Sequence, residues 1–160
     1  MLTAEILGKL KIDECDLPLL HSRRWNVTGT KSLYISSYTR LPDSREGKIF
    51  LHCLILNAPP ELQVDHINGD TFDNRRSNLR LCTREQNQYN RRKTKLPTSS
   101  VYKGVCWHKG VGKWIARIRV NGALRHLGYF QDEISAARSY DSAAIKFFKD
   151  FAKPNFIIDE

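Results

Sequence analysis

Asp65 and His66 stand side by side at the start of VDHINGDTFDNRRSNLRLCTREQNQYNRR, residues 64–92, and pair a carboxylate with an imidazole. Twelve positions after His66 comes Asn78, and nine after that comes Asn87. Asp65 offers a hard carboxylate oxygen and Asn87 an amide oxygen, donors suited to Mg2+ or Mn2+ rather than to zinc. Beside such an ion, His66 can take a proton from water, because an unperturbed imidazole has a pKa of about 6.5. Asn78 is placed to brace the intervening loop and to hold the His66 ring by hydrogen bonds.

Strand, long loop, strand and helix must position these groups. Asp65 and His66 follow in a strand, and neighbouring strand side chains point to opposite faces. Asp65 and His66 therefore share a site only if the strand ends here and His66 opens the loop. The loop holds an Asn68-Gly69 turn signal, and Leu79–Cys82 reads as the returning strand. Thr83 with Gln86 three residues on is a capping-box pattern, which predicts a helix carrying Asn87 in its first turns.

The remaining chain supplies the surroundings. A short helix is expected from Thr3, with Ile6, Leu7 and Leu10 on one face. Leu33–Tyr38 and Lys48–Leu56 read as two strands joined through the turn-forming residues 41–47. His52, inside the second run, reads as a core histidine and His21 as a surface one; neither is assigned to the site. Residues 91–100, RRKTKLPTSS, form a basic linker, read either as lying along a nucleic-acid backbone or as a plain spacer. Beyond it, Tyr102–His108, Lys113–Val120 and Ala123–Phe130 read as three antiparallel strands, with an Asn121-Gly122 turn between the last two. The middle strand sets Trp114, Ala116, Ile118 and Val120 on one face and Lys113, Ile115, Arg117 and Arg119 on the other. Asp132 caps a helix to about Phe148, whose Ala136, Ala137, Ala143, Ala144, Tyr140 and Phe147 suit packing on the Trp114 face. Trp107, alternating with Val105, is expected to pack rather than to stack on a ligand.

At 160 residues, with a net charge of +9, the chain can hold one modest core or two small ones and suits a polyanionic partner. From Gln86 to Gln131 there is no Asp or Glu, while ten lysines and arginines fall inside, a footprint suited to phosphates. Cys15, Cys53, Cys82 and Cys106 show no C-x2-C pair, so structural zinc is not expected and free thiols in a reducing cytoplasm are. No apolar run is long enough to span a membrane.

VDHINGD, DNRRSNLRL and TREQNQYN together resemble the HNH nucleases, the ββα-metal (His-Me finger) fold of phage, intron and bacterial endonucleases. His66 falls at the first H, Asn78 at the N and Asn87 at the last H, as in the HNN branch of phage-type homing endonucleases. The resemblance implies His66 as general base, Asp65 and Asn87 as the ligands of one Mg2+ or Mn2+, and products with a 3′ hydroxyl and a 5′ phosphate. YKGVCWHKGVGKWIARIRV, HLGYF and AARSYDSAA resemble the DNA-binding domain of plant ethylene-response factors, whose three-stranded sheet enters the major groove. By position, Arg117 and Arg119 are the best DNA contacts, and Cys106, His108 and His126 fall at further contact positions. Cys106 and His108 replace arginines common in the plant domains, so the plant target sequence does not carry over.

The sequence thus predicts an α+β protein in three parts. These are a nuclease module with an N-terminal hairpin extension (1–92), a basic linker (93–100) and a sheet-and-helix DNA-binding module (101–160). It would be a metal-dependent endonuclease acting on double-stranded DNA in a bacterial or phage-infected cytoplasm, as monomer or dimer. Arg75, Arg76, Arg80 and Arg91 would clamp the DNA backbone near the cut, and Lys113, Arg117, Arg119, Arg125, His108 and His126 would bind the target. The alternative is a DNA-binding regulator with an inactive nuclease module.

Overall fold

The computed structural model describes residues 2, 4–30, 32–40, 46–91, 93 and 98–156. It divides into two compact units, Met1–Asn87 and Gln88–Glu160, and the described residues form three antiparallel sheets with helices. The expected turn at 41–47 and the linker at 91–100 lie in large part outside the described residues.

The first unit opens with helix α1 (Ala4–Lys9) and a short helix α2 (Leu17–His21). Leu2, Ile6 and Leu10 pack on the core at a spacing of four, whereas Leu7 is 49% exposed, so the expected apolar face is turned by one residue. Strands β1 (Asn26–Thr28), β2 (Tyr34–Arg40) and β3 (Glu46–Phe50) pair in that order.

The run expected as one strand from Lys48 to Leu56 breaks at Phe50. From Leu51 it is helix α3 (Leu51–Ile55), which buries Leu51, His52 and Ile55. A short unbroken apolar run carries no period to separate strand from helix. Here Asn57, at φ 46, ends the helix in a Schellman arrangement, with Ala58 N–H donating to Cys53 O and Asn57 N–H to Leu54 O. Trp25, Ile35, Leu51, Ile55, Val64 and Leu79 form the core.

Strands β4 (Gln63–His66) and β5 (Leu79–Cys82) make an antiparallel hairpin, with Asp65 opposite Arg80 and His66 opposite Leu79. Helix α4 (Arg84–Tyr89) follows. Its cap is reciprocal: Thr83 N–H donates to Gln86 Oε1 at 2.8 Å, and Gln86 N–H to Thr83 Oγ1 at 3.2 Å. The division between the two units falls inside this helix.

The second unit is the sheet β6 (Val105–His108), β7 (Lys113–Val120) and β8 (Ala123–Phe130), covered on one face by helix α5 (Glu133–Phe148). Asn121 and Gly122 both take positive φ, the two-residue hairpin turn that matches strand twist. Asp132 accepts from Ser135 N–H at the helix start. Ala136, Ala137 and Ala144 are fully buried, which lets the α5 backbone approach β7 closely. The buried aromatic at the end of α5 is Phe148 rather than Phe147, and it stacks on Tyr89 with centroids 3.7 Å apart. Trp107 packs edge-on against Trp114 at 5.2 Å.

Gly104 sits where no other residue fits. Its φ is +78, and an added Cβ would collide with the Tyr140 ring and come within 2.8 Å of the Arg117 carbonyl. Left-handed strain and overpacking act together, so Gly104→Ala is expected to destabilise the second unit by about 3 kcal/mol. Urea unfolding of the full chain, followed by tryptophan fluorescence and compared with the parent, checks this.

Candidate active site and nucleic-acid interface

The β4–β5 hairpin presents two chemically different faces. Gln63 and Asp65 lie on one, Val64 and His66 on the other, as strand alternation requires. Pairing runs through His66 to Leu79, and Ile67 N–H still donates to Asn78 O at 2.9 Å, so His66 closes the strand rather than opening the loop. Alternation turns the two side chains to different faces, but His66 is the last residue of β4 and the Asp65 carboxylate still acts on its ring, so both groups stand together at one strand end.

On the first face, Asp65 is 5% exposed, and its Oδ2 accepts from Arg80 Nε at 2.9 Å and Arg80 Nη2 at 2.7 Å. Asn87 comes to the same face from α4, donating through Nδ2 to Gln63 Oε1 at 2.8 Å. With its nitrogen used this way, the planar amide has its oxygen fixed on the far side from Gln63. Carboxylate and amide oxygens are hard donors, and two of them fit an ion that keeps most of its water, as Mg2+ does. Among the described residues no group of three or more His, Cys, Asp or Glu gathers to hold a metal ion.

On the second face, His66 is 5% exposed and its Nε2 is a buried atom. Burial pushes its pKa below the ordinary imidazole value; a hydrogen bond with Asn74 and the carboxylates of Asp65, Asp70 and Asp73 oppose that shift. The residue that bonds the ring is thus Asn74, not Asn78. Asn78 braces the loop instead, with Nδ2 donating to Asp73 O at 2.8 Å and Oδ1 accepting from Asn68 N–H at 3.0 Å. Sequence reasoning passed over Asn74 because no spacing rule distinguishes it from its neighbours; it is 1% exposed. It also passed over His52, whose ring lies 5.1 Å from that of His66. Burial, then the neighbouring His66, takes the His52 pKa down to about 3.

The loop is held from a distance. Lys11 N–H donates to Phe72 O at 2.9 Å, and Asn74 N–H donates to Lys11 O at 2.7 Å. Asp13 accepts from Arg76 N–H, and the buried Asp16 takes both arms of the Arg76 guanidinium at 2.7 and 2.8 Å. Arg75 grips buried Asp73 in the same bidentate way, which holds that carboxyl down at about 2. Arg75, Arg76 and Arg80, read from sequence as a DNA clamp, therefore each have a carboxylate partner within the fold. Arg91 is exposed. Lys93, at the start of the linker, donates through Nζ to Ser100 O and Tyr102 O.

In the second unit the face of the sheet away from α5 carries Arg117 and Arg119, both exposed, with Lys113 and His108 in a cross-strand pair. Arg117 Nη2 lies 3.0 Å from Cys106 Sγ, and Arg119 Nη1 donates to Gly122 O at 2.8 Å. The β7–β8 register shifts at Ala116/Arg117, and Gly128 takes a φ of +144 beside this bulge. The shift changes the parity of β8, so His126 and Tyr129 both point outward, their rings 4.7 Å apart, and His108 meets Tyr129 at 5.7 Å. Arg125 does not belong to this face. It pairs with Ile118, and its guanidinium lies 5.1 Å from the Phe147 ring on α5.

All four cysteines are thiols outside any disulfide. Among the described residues no helix is long and apolar enough to cross a membrane.

Residues 57–89 match the HNH endonuclease family. Over 146 residues, 88% of this chain and 71% of the other, the protein is 34% identical to an uncharacterized HNH endonuclease of Acanthamoeba polyphaga mimivirus. A shorter stretch is similar to an AP2-like ethylene-responsive transcription factor of Arabidopsis thaliana, 40% identical over 62 residues that make 39% of this chain and 13% of that one. Another is 45% identical over 49 residues to an APETALA2-like protein of Oryza sativa, of whose length it spans 11%. With one relative matched along most of both chains, and the hairpin and α4 lying inside the matched family segment, this protein is a DNA endonuclease that belongs to the HNH endonuclease family.

Proposed function

We propose that the β4–β5 hairpin and α4 act as a ββα-metal nuclease site, and that the protein is a homing-type endonuclease that cuts at a recognised DNA sequence. The carrying observation is the Asn87–Gln63 hydrogen bond, which brings the amide of α4 to the face that Asp65 occupies. Asp65 and Asn87 would hold one Mg2+ or Mn2+, with Arg80 fixing the carboxylate from behind. When bound, the ion supplies positive charge where the scissile phosphate and the leaving 3′ oxygen become more negative.

His66 takes the proton of the attacking water. Its burial keeps the ring neutral and able to accept, while the Asn74 hydrogen bond and three carboxylates favour the imidazolium that results.

The second unit supplies target affinity. Support comes from the partial likeness to AP2-like plant factors and from the exposed cationic face of Lys113, Arg117 and Arg119, with His108 and His126 beside it. Arg91 adds an exposed charge near the nuclease helix.

Incubating the purified chain with plasmid DNA tests the metal directly. Cutting is expected with Mg2+ or Mn2+, without added Zn2+, and none in EDTA. Asn87→His should shift the preference toward transition metals, since imidazole is a softer donor than an amide oxygen. Full activity in EDTA, or an unchanged metal profile in Asn87→His, would remove these residues from the metal site.

A further inference from the structure

His52 is a buried imidazole that the mechanism above does not use. It is 7% exposed, and its ring meets that of His66 edge-on, with centroids 5.1 Å apart and planes at 77°. Phe50 stacks on its other side at 5.4 Å and 17°. Tyr34 touches both histidines, 5.5 Å from His52 and 6.2 Å from His66. This cluster exists because the chain turns from strand to helix at Leu51. The first turn of α3 then buries His52 together with Leu51 and Ile55, toward the same side of the hairpin as Val64 and His66.

We propose that His52 is a positioning residue for His66, whose ring contact, together with the hydrogen bond to Asn74, fixes the plane of the general base. A hydrogen bond restrains an imidazole along one direction and leaves rotation about that bond open. A second ring packed edge-on removes that freedom, and Phe50 and Tyr34 hold the second ring in turn. The geometry of an edge-on pair favours complementary ring charge distributions, a weak but directional contact. The ring of His52 meets His66, Phe50 and Tyr34, and of these His66 is the one that acts on the water, so its influence passes through His66.

The proposal rests on the reading of His66 as general base, and the test separates the two. Single-turnover cleavage rate and DNA affinity are measured on the full chain with Mg2+ for His52→Ala, His52→Leu, His52→Phe, His66→Ala and the double variant His52→Leu/His66→Ala. Misplacing a catalytic group by about 1 Å can cost about 100-fold, so His52→Ala and His52→Leu should cut about 10- to 100-fold more slowly with affinity within about twofold. His52→Phe, which keeps a flat ring against His66, should regain most of the rate. His52→Leu fills the core without a ring, so it carries the test where the alanine variant fails to fold. In the His66→Ala background, His52→Leu should add no further loss, the signature of a residue acting through another.

Near wild-type cutting by His52→Leu overturns the proposal. A folded His52→Phe as slow as His52→Leu overturns it too, because the imidazole would then act by its own chemistry. Equal further slowing in the His66→Ala background would show an independent role and overturn it likewise. If His66→Ala alone cuts at the wild-type rate, the fault lies in the reading of the base, whatever the His52 variants do.

Discussion

His66→Ala should lower the single-turnover rate of DNA cleavage about 10²- to 10⁴-fold, the usual contribution of a general base. That range corresponds to roughly 3 to 5.5 kcal/mol of transition-state stabilisation. DNA affinity should stay within about twofold, because proton transfer develops in the transition state and not in the bound complex. The local structure sharpens this expectation. His66 sits at the last paired position of β4, buried and fixed by Asn74, so its removal leaves the Asp65–Arg80 pair and the α4 cap in place. Loss of activity with a preserved melting temperature and a preserved gel shift is the expected pattern. Wild-type cutting by a folded His66→Ala protein would take His66 out of the mechanism.

Replacing Arg117 and Arg119 together should cost most of the affinity for the target duplex. Each guanidinium is oriented before DNA arrives, Arg117 near Cys106 Sγ and Arg119 by the Gly122 carbonyl, so little side-chain entropy remains to be lost on binding. An arginine that reads a base contributes roughly 1–3 kcal/mol and sets preference at one position. An arginine on a phosphate weakens binding to every sequence alike, and its removal lowers the salt slope by about 1. Titrating Arg117→Ala, Arg119→Ala and the double variant against target and random duplexes at several salt concentrations assigns each role. Arg125→Ala makes an internal control: its guanidinium lies over Phe147 on the helix side, so the salt slope should not change. A double variant that binds and cuts the target as the parent does would move recognition to the first unit.

What the sequence made legible was local. The capping box at Thr83 and Gln86, the Asn121-Gly122 turn and the Asp132 cap each depend on residues within four positions, and each formed. The β7 alternation held because one face is covered by α5 and the other is not. The sequence says less where a partner lies far along the chain. Arg76 looks like an available cation until Asp16, 60 residues earlier, folds against it. Arg125 was grouped with the DNA contacts by its charge, whereas the register running back from the Asn121-Gly122 turn sets it opposite Ile118 on the helix side. His52 was mistaken for a strand residue because FLHCLIL has no period. Its nearness to His66 is a product of packing, and packing is not written in spacing.

The hold of Lys11 on the loop is made of main-chain atoms alone, one N–H given to Phe72 and one carbonyl offered to Asn74. Its side chain contributes only a loose, exposed ion pair with Asp70 at 3.8 Å. Evolution can therefore exchange the amino acid at position 11 almost at will, except for proline, which lacks the donor. Substitution scans would score the position as tolerant, and related proteins would show drift there. Yet Asn74, which bonds the His66 ring, hangs from that carbonyl. The anchor of the catalytic loop is inherited as a path of the backbone, and it leaves no letter behind for a comparison of sequences to find.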